Sequence, residues 1–251
     1  MTSPILPALA ALALIAAAPL AQAAAPPAFV AQAVADPSRP KADTATDAIR
    51  DPADTLAFAG VKPGMTVAEL FPGGGYFTRM IVDIVGPKGQ VTSIENAGWK
   101  SAVAADHKAF DQLARPNLTL DVEPFGQLKL PAGKADLFWI TQNYHDLKIA
   151  EYGAVDIAQF NRAVFEALKP GGVYVIVDHQ ANPGLTLAQI AVLHRIEKSV
   201  VIAEVTAAGF KLAGEGKFLA HPDDDHTKPI FDKAVQGKTD QYALKFIKPK
   251  G

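Results

Sequence analysis

Val67-Ala68-Glu69-Leu70-Phe71-Pro72-Gly73-Gly74-Gly75-Tyr76-Phe77-Thr78 decides the fold class of this 251-residue chain. A short apolar strand carries an acid at Glu69, and a glycine-rich turn then leads into a helical pattern. The next apolar run, Gln90-Val91-Thr92-Ser93-Ile94, is closed by a second acid, Glu95. Strand, glycine turn, helix, strand, acid is the order in which a parallel sheet holds a nucleoside-containing ligand at its carboxyl edge. Glycines let the backbone approach such a ligand closely. The second acid can accept from both hydroxyls of a ribose.

Outward from this stretch the alternation continues. Residues 66–71, 90–95, 118–122, 135–141 and 173–177 read as strands, with helices over 76–85, 99–114 and 157–168. The run 173–177 is an unbroken Val/Tyr/Ile segment of the kind buried on both faces of a parallel sheet. Residues 187–208 read as one long helix closed by Gly209, and 210–219 and 242–247 as two final strands. Asp51-Pro52 pairs an N-cap with proline at the first helical position, predicting a helix over 53–59. The predicted class is α/β, doubly wound.

Composition narrows the functions available. With 49% hydrophobic residues the chain can bury one sizeable core. A net charge of −2 and no long basic run argue against nucleic acid as a partner, and a small-molecule substrate is expected instead. Cysteine is absent, which excludes disulfides, thiolate metal sites, a cysteine nucleophile and lipid attachment through sulfur. The first 25 residues carry no charged side chain, and the Ala/Leu-rich run 5–20 precedes Ala21-Gln22-Ala23, a small-x-small cleavage pattern. Residues 1–23 are therefore expected to be a signal peptide, 24–50 a linker and irregular N-terminal arm, and 51–251 the functional domain. The mature protein is expected to be periplasmic or secreted, with no stable membrane insertion once the leader is removed.

From residue 51 to 248 the chain resembles the class I S-adenosylmethionine-dependent methyltransferases, within an exported group of predicted methyltransferases. Three places carry the resemblance: the Glu69–Gly75 turn, Asp136-Leu137-Phe138-Trp139-Ile140 followed by Asn143-Tyr144-His145, and Ala167-Leu168-Lys169-Pro170-Gly171-Gly172-Val173. The resemblance implies a Rossmann-like, doubly wound seven-stranded sheet, mostly parallel with an antiparallel last strand. It also implies S-adenosyl-L-methionine as cofactor. Glu69 would hold the methionine amino end, Gly73 and Gly75 would let the loop approach the cofactor, and Glu95 would bind the ribose. Glu123 is the nearest match to the adenine-side acid, although Pro124 falls where that acid aligns. Phe71 stands where the family usually has glycine. Its ring either crowds the methionine moiety or turns into the core.

Four of the six histidines fall at the predicted active edge. His145 follows strand four, and His179 follows strand five behind Asp178. His194 lies within the predicted last helix, and His226 sits in the loop Asp223-Asp224-Asp225-His226-Thr227. His145, Asp178, His179 and His226 are expected to gather at one pocket as the catalytic group, with Asn143, Tyr144 and His194 against the acceptor. A general base, a metal site and a set of structural hydrogen bonds are all compatible with these residue types. No histidine pair has H-x-x-x-H spacing, so no residue is assigned to a metal. Arg195, Glu197 and Lys198 read as the solvated or capping side of a helix. The expected function is methyl transfer to a small acceptor. The rival is an exported protein that kept the fold and binds or hydrolyses a small ligand, or holds a metal, through the His/Asp cluster without the cofactor.

Overall fold

A computed structural model describes residues 25–113 and 115–251; the predicted leader lies outside the described residues. The strands are β1 (Thr66–Leu70), β2 (Gln90–Asn96), β3 (Leu118–Glu123), β4 (Ala135–Thr141), β5 (Leu168–His179), β6 (Lys211–Gly216) and β7 (Gln241–Ile247). They form one sheet in the order β3-β2-β1-β4-β5-β7-β6. β1 to β5 are parallel, and β7 runs antiparallel to both β5 and β6. The chain crosses from one half of the sheet to the other between β1 and β4, and there the carboxyl ends open a crevice.

Alternation along the strands divides the core into two layers. Ala68, Leu70, Phe138, Ile140, Tyr174 and Ile176 face one side, against Phe160, Val164, Val201 and Val205. Val67, Leu137, Trp139 and Val175 face the other, against Leu56, Met80, Ile81 and Val85. The helices, in chain order, are α1 (Ala28–Val34), α2 (Lys41–Thr44), α3 (Asp47–Arg50), α4 (Pro52–Ala59), α5 (Tyr76–Val85), α6 (Lys100–Leu113), α7 (Ile157–Ala167), α8 (Leu187–Leu193) and α9 (Lys198–Ala207). Asp51 caps α4 through the Asp54 amide, as its sequence predicts.

Two expectations are corrected. The described residues of this segment, 25–50, are not an irregular arm: they hold α1, α2 and α3, each too short to show a periodicity between Pro27, Pro37 and Pro40. Val30 and Ala33 bury into the α5 face. Arg39 forks onto Asp47 at 2.7 and 2.9 Å, and the Tyr76 hydroxyl donates to the same carboxylate at 2.6 Å. Arg79 donates to Asp43 and to the Gly74 carbonyl, so the arm is fastened beside the glycine turn. The predicted helix over 187–208 is two helices, because His194 takes φ 52°, a left-handed conformation that stops α8. Between them Arg195 is fully buried rather than solvated. Its guanidinium forks onto Asp224 at 2.8 and 3.2 Å and donates to the carbonyls of Gln180 and Lys228.

The arm should be part of the cooperative unit. Asp47→Ala strands the buried Arg39 guanidinium and the Tyr76 hydroxyl, and should lower unfolding free energy by about 2–3 kcal/mol in denaturant titration. A change under about 0.5 kcal/mol would show that the arm is not coupled to the fold.

Candidate functional site

The glycine turn leaves β1 at the crevice. Phe71, Gly73 and Gly75 all have positive φ, at 51°, 53° and 81°. A side chain added at Gly73 or Gly74 would meet nothing within 4 Å, so the turn presents bare backbone to open space. Phe71 adopts the left-handed conformation that glycine favours, at a cost of about 1–2 kcal/mol. Its ring turns into the core, edge-on to Phe125 at 4.7 Å, and that burial offsets the strain.

The acids divide. Glu95 is the penultimate residue of β2, near the carboxyl edge of the sheet, and it is buried. Glu69 is also buried, and its Oε2 accepts from Thr78 at 2.6 Å and Ser93 at 2.7 Å. It braces β1 against β2 and α5 from beneath the turn. Burial pushes its pKa up to about 7, and the two hydroxyl donors offset only part of that. Glu123 accepts from the Lys129 amide at 2.8 Å and so closes its own loop.

An aromatic clasp spans the crevice. Trp99, after β2, stacks on Tyr152, after β4, at 4.4 Å and 17° between planes, and Trp99 also lies 6.2 Å from Phe71. Asn96 donates to the Tyr152 carbonyl at 2.6 Å and fixes the two loops together. On its other side Tyr152 lies 6.1 Å from the His194 ring. The glycine turn and the histidines thus share one continuous edge.

At the ends of β4 and β5 the organising group is Asp178, which is fully buried. It accepts from the His145 ring Nδ1 at 2.7 Å, from the His145 amide at 2.9 Å and from the His179 amide at 2.7 Å. With Nδ1 turned to Asp178, the His145 Nε2 faces Asp146 Oδ1 at 3.2 Å and His194 Nδ1 at 3.2 Å. His194 Nδ1 is in turn 3.2 Å from the same Asp146 oxygen. Asn143 donates to the other Asp146 oxygen at 2.7 Å. Burial opposes charge on His145, but the carboxylates of Asp178 and Asp146 outweigh it and raise its pKa to about 10. Burial likewise works against the Asp146 charge, and hydrogen bonds from His145, His194 and Asn143 hold its carboxyl well below the usual range. Two imidazoles and a carboxylate converging in this way could hold a proton or a metal ion.

Three sequence-predicted residues lie elsewhere. His179 follows Asp178 directly, and alternation turns its ring to the opposite face. There Nδ1 meets the Thr239 hydroxyl at 2.9 Å, 6.1 Å from the His145 ring between centroids. Burial lowers its pKa to about 3 and keeps it neutral. His226 does not join His145 either. Its ring bonds Asp240 at 3.0 Å and reaches Asn182 at 3.4 Å, while its amide donates to Asp224, so it pins its loop to the Arg195 anchor. Tyr144 is a core residue whose hydroxyl accepts from Asn161 and donates to Glu204. Asn143 reaches the site through Asp146, and His194 reaches it from the break between α8 and α9 rather than from within a helix. Asp146 was missed, although an Asn three residues before it in a turn is a recognisable side-chain pairing.

No protein-family model matches the sequence. The ubiquinone/menaquinone biosynthesis C-methyltransferase of Shewanella pealeana is 24% identical over 188 residues, covering 72% of this chain and 69% of that protein. The protein of the same name from Ectopseudomonas mendocina is 26% identical over 140 residues, covering 54% and 50%. Among solved structures, an S-adenosylmethionine-dependent methyltransferase from Aquifex aeolicus superposes with TM-score 0.61 at 17% identity, covering 81% of this chain and 93% of that one. Geranyl diphosphate C-methyltransferase from Streptomyces coelicolor gives 0.58 at 13% identity, covering 86% and 87%. The cyclase SpnF gives 0.56 at 16% identity, covering 84% and 82%. The chain has the class I S-adenosylmethionine-dependent methyltransferase fold. No helix among the described residues is long and apolar enough to cross a membrane.

Glu69 generates a pH prediction. Its folded pKa is raised from 4.5 to about 7, so its contribution to stability is complete below 4.5 and is lost as pH rises through 7. Glu69→Gln keeps an acceptor for Thr78 and Ser93 and cannot ionise. It should match the parent near pH 4.5 and exceed it by up to about 3 kcal/mol at pH 8. Parallel stability curves for parent and variant between those pH values would contradict this.

Proposed function

We propose that the protein is an S-adenosylmethionine-dependent methyltransferase acting on a small-molecule acceptor. The observation that carries the reading is the single carboxyl edge. Open glycine backbone and Glu95 stand at the ends of β1 and β2, and the His/Asp group stands at the ends of β4 and β5, with Trp99 and Tyr152 between them. Distant sequence likeness to C-methyltransferases supports it. The fold alone would not, since a cyclase shares it.

The residues present fit the cofactor. Gly73 and Gly74 leave room for a ligand against the backbone. In this reading Glu95, near the carboxyl end of β2, takes the ribose hydroxyls, and the stacked Trp99–Tyr152 pair stands between the turn and the His/Asp group. When bound, S-adenosylmethionine supplies an electrophilic methyl group. The chain's own part is chiefly to orient the acceptor and to exclude water, which for such a displacement is most of catalysis. His194, the most accessible member of the group, meets the acceptor, while Asp146 and His145 stand behind it and Asp178 locks the His145 ring. His179, occupied by Thr239, takes no part.

We also propose that residues 1–23 are removed on export. Val30 and Ala33 of α1 are the first buried residues in the described chain, so cleavage after Ala23 leaves the packed arm intact. Mass spectrometry of the native protein should find a chain beginning near residue 24. An intact Met1 would refute the leader.

Calorimetric titration with S-adenosylmethionine and S-adenosylhomocysteine should show one site per chain. Glu95→Ala should weaken it by about 1–3 kcal/mol, the cost of stranding buried polar partners. Absence of binding to the parent would overturn the reading, and affinity unchanged in Glu95→Ala would place the nucleoside elsewhere.

A further inference from the structure

We propose that His145 Nε2, Asp146 Oδ1 and His194 Nδ1 form a site for one zinc ion. The inference rests on the shape of the group, independently of the methyltransferase reading. The three atoms make an equilateral triangle with sides of 3.2 Å. Hydrogen bonds satisfy at most two of its three edges. His145 Nε2 and His194 Nδ1 can each carry one proton, and the Asp146 carboxylate carries none, so at most two protons serve three short edges. If both nitrogens donate to Asp146, two N–H groups face each other. If one donates to the other, a nitrogen lone pair faces a carboxylate lone pair. A single cation among the three atoms satisfies every edge.

The dimensions suit zinc. An ion about 2.05 Å from each donor, the usual zinc–imidazole and zinc–carboxylate length, would see them at angles of about 100°. That is close to tetrahedral and leaves a fourth position free. Two imidazoles and one carboxylate are a borderline donor set that favours zinc over magnesium or calcium, which take oxygen.

The surroundings have the form that metal sites need. Asp178 takes the distal nitrogen of His145 at 2.7 Å, which fixes the tautomer and aims Nε2 inward. Asn143 holds the second oxygen of Asp146 at 2.7 Å and leaves the first for the ion. His194 is delivered by a left-handed residue at φ 52°, strain of the kind found at functional positions. Of the three donors His194 is the one that reaches solvent: its side chain is 13% exposed, against 1% for His145 and 4% for Asp146, and it lies beside Tyr152 and the exposed Phe231. An acceptor oxygen or nitrogen bound at the fourth position would lose its proton more readily, as zinc-bound water does.

The test uses the full chain, freed of metal by chelator dialysis and titrated with zinc chloride in the absence of cofactor. One zinc per chain is expected at micromolar affinity or tighter, and magnesium at the same concentration should not compete. His194→Asn keeps a residue that tolerates the left-handed backbone and removes the imidazole. It should weaken zinc at least 100-fold with an unchanged circular dichroism spectrum, and Asn143→Ala should weaken it about tenfold or more. X-ray absorption of the zinc-loaded parent, which needs no variant, should show two imidazole shells. No zinc binding, retention of full affinity in His194→Asn, or an oxygen-only shell would each overturn the proposal. Zinc binding without cofactor binding would leave this site standing and remove the methyltransferase reading.

Discussion

The Asp178 carboxylate is the contact on which the ends of β4 and β5 depend. It lies at the end of β5, without solvent, and takes three N–H donors: two from His145 and one from the His179 backbone. Buried carboxylates are costly unless so satisfied, and the bonds that satisfy this one join the exit of β4 to the end of β5. They fix the imidazole of His145 in ring orientation and in position, and through it the places of Asp146 and His194. Without the carboxylate the turn after β4 keeps its Gln142 bonds to Val177 and Gln241 but loses the contacts that orient His145. Site and fold are here the same set of hydrogen bonds.

A second anchor works beside the first. Arg195 and Asp224 form a buried, forked ion pair that ties the break between α8 and α9 to the loop bearing His226. The pair matters less for net stability than for placement, since desolvation cancels much of the attraction between buried charges. It sets where α8 ends, and so where His194 emerges. His226, bonded to Asp240 and Asn182, belongs to this support rather than to the His145–Asp146–His194 group.

Much of the fold was legible in the residues because it depends on local pattern. The glycine turn, α5 over Tyr76–Val85, β4 over Ala135–Thr141 and the antiparallel last strand follow from periodicity, turn chemistry and a family resemblance. The break in the last helix was not legible. Residues 187–208 contain no glycine until 209 and no proline, and the interruption comes from a histidine in a left-handed conformation that tertiary contacts hold. Arg195 read as solvated because its partner lies 29 residues away. His179 was grouped with Asp178 by adjacency, although neighbours in a strand point to opposite faces. The arm was misjudged because helices of four to seven residues between prolines carry too little period to register.

The central claim is that one crevice serves both a nucleoside ligand on the glycine turn and the His145–Asp146–His194 group. A crystal structure of the full chain grown with S-adenosylhomocysteine and zinc, with anomalous data at the zinc edge, tests it most directly. The account predicts a nucleoside whose ribose meets Glu95 and an anomalous peak among the three donor atoms, with the open metal position facing the cofactor sulfur. A nucleoside bound away from Glu95, or an ion on the far side of the sheet from it, would contradict the account.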